Sequence, residues 1–194
     1  MSPITTETIK ELRDATGISV MQCKKALEEA DGDMNKALII LRKKGSEIAG
    51  KKGDRNLGAG TVASYVHNTG NVGATVVLLS ETDFVAKNAE FKNLAYEIAM
   101  QVAATNPGFL TKEDIDEDAR KDAREVFKKE VKDKPAEMQG KILEGKLNAY
   151  FKEKILLEQS FIKNPEMTIK DLIDGATQKF GERIEIAKFA RFNV

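Results

Sequence analysis

The apolar and polar positions change their spacing once along the chain, which divides it into two parts. In the first 45 residues, short apolar stripes recur at helical spacing. Cap residues precede the three stripes and glycines follow them: Thr5 or Thr6, Ser19 and Asp33 at the starts, and Gly17, Gly32 and Gly45 at the ends. The pattern predicts a three-helix domain over residues 1–45. Such a small bundle is expected to keep some apolar surface for a partner or for the rest of the chain.

Residues 46–57 lack hydrophobic periodicity and are rich in Lys, Arg and Gly. The basic run begins just before them at Lys43 and Lys44 and continues through Lys51, Lys52 and Arg55. We interpret the segment as a basic linker that is partly helical at most. A solvated tether and a contact with nucleic acid are the two interpretations that its charge allows.

From Gly60 onwards the apolar residues alternate, which is typical of strands. One predicted strand ends near His67, the turn is Asn68–Asn71, and a second strand covers Val72–Leu79. A third alternating run lies at 184–192, far away in sequence. The sheet closes only when the chain returns, so residues 58–194 are predicted to form one α+β domain with a three-stranded antiparallel sheet.

Helical patterns fill the sequence between the second and third strands. They are predicted over Asn88–Thr105, Glu113–Lys132, Ala136–Lys154 and Ile169–Phe180. The middle two carry narrow apolar stripes and meet at Asp133-Lys134-Pro135, which indicates an antiparallel helical hairpin over residues 113–154. The pattern leaves open whether this hairpin projects towards a partner or covers the core.

The composition excludes several classes of function. Lys and Arg together number 31, as do Asp and Glu, so no overall charge favours nucleic acid or a membrane surface. With one cysteine, Cys23, and one histidine, His67, neither a zinc site nor a nucleophilic triad is expected. A phosphate-binding loop motif is missing, and no apolar run approaches the ~20 residues that span a bilayer. We expect a cytoplasmic protein without a cofactor or metal.

The segment Thr82–Val85 is the strongest candidate for a functional site. It places an acid, Asp83, beside a large aromatic residue, Phe84, where a strand gives way to a helix. In one interpretation Thr82 or Asn88 caps the helix, Asp83 favours its N-terminus, and Phe84 anchors the core. In the other, Phe84 is an exposed contact for a partner.

Several segments taken together resemble the bacterial elongation factor Ts family, whose members exchange guanine nucleotide on elongation factor Tu. The matching segments are Ile9–Arg13, Thr16-Gly17, Val20–Leu27, Glu81–Lys87, Lys134-Pro135, Leu156–Gln159 and Phe189–Phe192. They span nearly the whole chain. In this setting the Thr-Asp-Phe-Val run is highly specific.

The resemblance implies an architecture and a function. The first domain would be a ubiquitin-associated-like bundle, and the helical hairpin would be a coiled coil. The chain would promote GDP release from elongation factor Tu by displacing magnesium, without making or breaking bonds. Thr82, Asp83, Phe84 and Val85 match the segment that dislodges the magnesium ion. The alternative is a protein-binding or ribosome-associated module without exchange activity.

The resemblance also implies further contacts. Leu12, Val20, Met21 and Lys24 match bundle positions that meet the partner's GTPase domain, and His67 matches a contact on the core sheet. Longer family members carry two copies of the core subdomain, whereas this chain has one. A homodimer is therefore expected, held by packing, since Ala190 offers no cysteine for a covalent link. No direct nucleic-acid or membrane partner is expected.

Overall fold

The computed structural model describes residues 4–133 and 135–194. Residues 1–3 of the predicted first domain and Lys134 of the predicted hairpin connection lie outside the described residues. The helices are α1 Thr6–Thr16, α2 Val20–Glu29, α3 Met34–Lys51, α4 Asp83–Ala86, α5 Ala89–Thr105, α6 Glu117–Glu130, α7 Ala136–Lys154 and α8 Ile169–Phe180. The strands are β1 Ala59–Val66, β2 Val72–Ser80, β3 Ser160–Phe161, β4 Asn164–Thr168 and β5 Glu185–Asn193.

The first three helices begin at the residues that the sequence predicts. The side chains of Thr5, Ser19 and Asp33 each accept a hydrogen bond from a backbone N–H in the first turn, and Gly17 ends α1 with a φ of +67°. These caps satisfy backbone donors that a helix start leaves unpaired. The helices enclose one hydrophobic cluster: Leu12, Ile18, Cys23, Ala26, Leu27, Ala30, Ala37 and Leu41.

The predicted helix end at Gly45 is wrong, because α3 continues to Lys51. Gly45 is buried where α3 crosses α8, and a Cβ atom there would lie 3.1 Å from Gln178 Oε1 and 3.4 Å from the Asp174 carbonyl oxygen. This glycine therefore permits a close helix crossing, not a helix stop. Ser46 Oγ donates to Asp174 Oδ2 at 2.6 Å in the same interface. Residues 46–51 of the predicted linker are the last turns of α3.

The predicted hairpin and the returning third strand are confirmed. Strands pair antiparallel in the order β1-β2-β5, with Ala59 opposite Ser80 and Val66 opposite Gly73. The inward residues of the central strand are Ala74, Val76 and Leu78, which are buried beneath α5. One face of the sheet thus forms the main hydrophobic core with α5 and α8.

Helices α6 and α7 form the predicted hairpin, with a later start than the sequence indicated. Helix α6 begins at Glu117 instead of Glu113, because Asp116 caps it by accepting from the Ala119 N–H at 2.7 Å. The Phe127 and Tyr150 rings meet edge to face across the pair, 5.6 Å between centroids. The short sheet of β3 and β4 was not predicted, since it is brief and lacks clear alternation.

Candidate functional site

Phe84 projects from the surface on a short helical turn whose following residues are buried in the core. Its side chain is 84% exposed, whereas Val85 is 3% exposed and packs in the main core with Ala86. Consecutive residues of a helical turn point about 100° apart, so anchoring Val85 in the core directs Phe84 outwards. The interpretation of Phe84 as a core anchor is wrong. Val85, which the resemblance grouped with the partner contacts, is the residue that anchors the turn.

The two remaining residues of the Thr82–Val85 segment are exposed and polar. Asp83 Oδ2 lies 3.1 Å from Lys87 Nζ one turn on, and both side chains are three-quarters exposed. An ion pair this exposed contributes little stability. Thr82 occupies the N-cap position of α4 but makes no capping bond, while Asn88 caps α5 by accepting from the Glu90 N–H at 2.8 Å. Since its ion pair with Lys87 is exposed and weak, the Asp83 carboxylate is available to another molecule.

Two glutamates join this segment to the connection between α8 and β5. Glu182 Oε2 accepts from the Thr82 N–H at 3.0 Å, and its Oε1 accepts from the Thr82 hydroxyl at 2.6 Å. Glu81 Oε1 accepts from the Arg183 N–H at 2.6 Å, and Arg55 Nη1 lies 3.2 Å from Glu81 Oε2. The Arg183 N–H and the Arg55 guanidinium hold the pKa of Glu81 below its ordinary value. Sequence reasoning missed the bonds that Glu81 and Thr82 make with Arg183 and Glu182, because about 100 positions separate the partners.

The bundle residues matched by the resemblance divide into surface and core. Val20 and Met21 are exposed, Met21 at 65%, and Lys24 is an exposed residue that pairs with Glu28 at 3.8 Å. Leu12 is fully buried in the cluster of the three helices, so its prediction as a surface contact is wrong. Leu12 lies in the apolar stripe of α1 and is needed for the fold of the bundle.

The start of α2 and the Thr82–Val85 segment lie close to the same end of α8. The side-chain amides of Gln22 and Gln178 are hydrogen-bonded, which fixes α2 on α8. Four residues further on, Glu182 holds Thr82. The Cα atoms of Gln178 and Glu182 can be separated by at most about 14 Å. Gln22 and Thr82 are therefore both held near the C-terminal end of α8.

His67 lies at the opposite end of the sheet. It follows β1, and its Nδ1 is hydrogen-bonded to Tyr65 Oη at 3.0 Å. The register places Val66 opposite Gly73, seven residues from Ser80, so roughly 23 Å of strand separates His67 from the Phe84 end. The structure does not bring His67 together with the Thr82–Val85 segment.

The part of the chain that the structure describes has neither a metal-ligand cluster nor a membrane-spanning helix. There, no three His, Cys, Asp or Glu side chains converge in a way that would hold a metal ion. Within residues 4–133 and 135–194, none of the helices has both the length and the apolar character of a membrane span. The notable surface features are exposed apolar residues on well-held backbone.

Exposed aromatic and aliphatic residues on a fixed backbone are typical of proteins that act by binding another protein. The family model described as Elongation factor TS matches residues 42–194. Elongation factor Ts of Thermodesulfovibrio yellowstonii is 48% identical over 192 residues, covering 98% of this chain and 96% of the relative. The proteins of the same name from Carboxydothermus hydrogenoformans and Thermosipho melanesiensis are 47% and 45% identical, each over 193 residues and 98% of this chain, covering 89% and 98% of their own lengths. The chain belongs to the elongation factor Ts family.

Proposed function

We propose that this chain is a guanine-nucleotide exchange factor that accelerates GDP release from elongation factor Tu. The observation that carries the proposal is the exposure of Phe84 on a turn anchored by Val85, in a chain that belongs to the elongation factor Ts family. A rigidly presented aromatic residue can insert into a partner without a large cost in ordering. In this mechanism Phe84 is the wedge, and Asp83 approaches the partner's magnesium site.

The mechanism is differential binding and needs no bond chemistry. If the factor binds nucleotide-free partner more tightly than loaded partner, reciprocity lowers the affinity for GDP by the same factor. Each tenfold loss of GDP affinity requires ~1.4 kcal/mol of differential contact. A buried aromatic anchor contributes about 2 kcal/mol or more, so Phe84 alone accounts for about 30-fold. Displacement of the partner's magnesium ion lowers the affinity for GDP further.

The exposed bundle residues supply a second contact. Val20, Met21 and Lys24 are exposed on α2, whose Gln22 is hydrogen-bonded to Gln178 of α8, and we assign the three exposed residues to the partner's GTPase domain. We further propose that α1–α3 form a ubiquitin-associated-like domain, whose small core leaves these residues free. His67 would make a separate contact about one strand length away. The partner must therefore extend along the whole sheet.

A homodimer through the outer face of the sheet is part of the proposal. Val66, Gly73 and Phe192 are cross-strand neighbours, so their Cα positions form one row. On this face Val62 and Val66 are about two-thirds exposed, as is Phe192 at 65%. A second copy of the chain would cover these residues by packing sheet on sheet. It would also supply the second core that longer family members carry within one chain.

The decisive experiment times nucleotide release. Elongation factor Tu loaded with a fluorescent GDP analogue is mixed with excess GDP and substoichiometric amounts of this protein in a stopped-flow instrument. Exchange predicts multiple turnovers, with a rate that rises with the concentration of the factor. Titration calorimetry of GDP into the isolated chain should give no binding heat. Binding of elongation factor Tu without faster release would favour the alternative, a protein-binding or ribosome-associated module in the cytoplasm.

A further inference from the structure

The backbone pairing of β2 and β5 ends at Leu79 and Glu185, but the two segments remain joined beyond that pair. Continuing the register places residue 81 opposite 183 and residue 82 opposite 182. At these positions the pairing is made by side-chain carboxylates. Glu81 Oε1 accepts from the Arg183 N–H, and Glu182 accepts from both the N–H and the hydroxyl of Thr82. We call these reciprocal bonds the carboxylate clamp.

The connection that carries Glu182 is itself held in place. Gly181 ends α8 with a φ of +72°, and its carbonyl oxygen accepts from Lys52 Nζ at 2.7 Å. Arg183 Nη1 donates to the Arg55 carbonyl oxygen at 2.7 Å. The clamp is therefore fixed to the end of α3 as well as to α8, and its position does not depend on Glu182 alone.

The carboxylate clamp holds Thr82, the residue at which the Phe84 turn begins. Helix α4 has only four residues, and Thr82 uses its hydroxyl for Glu182 instead of capping the helix. The carbonyl oxygen of Thr82 accepts from the Ala86 N–H at 3.2 Å, so fixing Thr82 fixes the first hydrogen bond of the turn. Phe84 has little side-chain packing of its own, since it is exposed. Its direction is set by Val85 on one side and by Thr82 on the other.

We propose that Glu182 is a positioning residue for nucleotide exchange, which orients Phe84 by binding Thr82. The inference rests on the proposed function. A displacement of about 1 Å in a group that must fit a pocket can cost on the order of a hundredfold in rate. Loss of the clamp should leave the fold and the other partner contacts in place while lowering the maximal rate of GDP release.

The test uses the full chain and measures GDP release at saturating concentrations of factor. Glu182→Ala and Thr82→Val should each lower the maximal rate about tenfold, with little change in the concentration that gives half the maximal rate. Thr82→Ser keeps both donors and should retain the wild-type rate. Glu125→Ala is the matched control, because it removes an exposed glutamate of α6 that lies outside the carboxylate clamp. Thermal melts of every variant show which ones are folded.

A double-mutant cycle separates positioning from general damage. In the Phe84→Ala background, Glu182→Ala should cause no further loss, since no aromatic ring remains to be oriented. Wild-type rates for folded Glu182→Ala and Thr82→Val, or equal losses in both backgrounds, would overturn the inference. If Phe84→Ala itself accelerates GDP release at the wild-type rate, the wedge role of Phe84 is overturned, whereas the proposed function fails only if the wild-type chain does not accelerate release. If Phe84→Ala is slow while Glu182→Ala is not, only the positioning role is overturned.

Discussion

Phe84 and Phe91 are seven residues apart and have opposite surroundings. Phe84 is almost fully exposed, while Phe91 is fully buried in the main core, with its ring 6.0 Å from that of Phe180. The two phenylalanines therefore have different roles. Truncating one that contacts a partner should impair binding or the rate of nucleotide exchange, whereas truncating one in the core should lower stability.

The first prediction compares truncations of these two residues. Phe84→Ala should slow GDP release markedly and change the free energy of unfolding by less than about 0.5 kcal/mol. Phe91→Ala should cost about 3–5 kcal/mol of stability, because it leaves a cavity beneath the sheet. Stopped-flow release and denaturant melts on the same preparations measure both effects. A large stability loss in Phe84→Ala, with normal exchange per folded molecule, would refute the wedge.

A second comparison tests the bundle surface. Met21→Ala should weaken the complex with nucleotide-free elongation factor Tu by roughly 1–3 kcal/mol without changing stability. Ile39→Ala is a matched control, because Ile39 is equally exposed on α3 and has no assigned contact. Leu12→Ala should instead destabilise the chain by about 2–5 kcal/mol. Unchanged affinity in folded Met21→Ala, measured by calorimetry, would remove α2 from the interface.

The third prediction concerns the outer face of the sheet. Phe192→Glu places a charge in the row that a second copy is proposed to cover, so it should shift the chain from dimer to monomer. Val126→Glu introduces the same charge on the exposed side of α6 and should leave the assembly unchanged. Sedimentation velocity over a range of concentrations distinguishes the two variants. A wild-type chain that is monomeric throughout that range would contradict the proposed dimer.

The fourth prediction uses the lowered pKa of Glu81. Above about pH 5 this carboxylate is charged in the folded and unfolded chains, and its bonds contribute fully. Below the ordinary glutamate pKa of ~4.3 the unfolded chain binds a proton first, so the contribution falls until the folded group also protonates. The free energy of unfolding should therefore fall more steeply with acid in wild type than in Glu81→Gln. Parallel urea-melt profiles between about pH 5 and pH 3 would show that the bonds to Arg183 and Arg55 contribute nothing.

The fifth prediction tests the crossing of α3 and α8. Gly45→Leu should cost about 1–3 kcal/mol of stability, because its side chain would push Gln178 and the Asp174 backbone away. Gly50→Ala lies in the same helix with open space around it and should stabilise by ~0.5–1 kcal/mol. Thermal melts provide the comparison. Equal effects at Gly45 and Gly50 would mean that the crossing does not depend on the missing side chain.

Local signals in the sequence predicted the starts of α1–α3 and the three strands of the main sheet well. Cap residues such as Ser19 and Asp33 act within three positions, and the alternation in β1 and β2 reflects one buried face. Errors arose where distant residues decide the outcome. Gly45 has the appearance of a helix stop until α8 is packed against it, and Glu182 has no sequence relation to Thr82 until the sheet closes. Leu12 was assigned to the partner contacts by resemblance, whereas the packing of the three helices buries it completely.

Helix α3 is continuous from the bundle to Lys51, and Lys52 is hydrogen-bonded to the Gly181 carbonyl oxygen. The distance between the two proposed contact regions, around Met21 and around Phe84, is therefore fixed before a partner binds. In the proposed complex, docking of Met21 would hold Phe84 near its own contact on the partner, at a local concentration on the order of millimolar, as in two linked binding modules. A cut or a flexible insertion in the last turns of α3 would leave the residues of each contact region intact. It would still slow nucleotide exchange, because the two regions would then bind the partner in two separate steps.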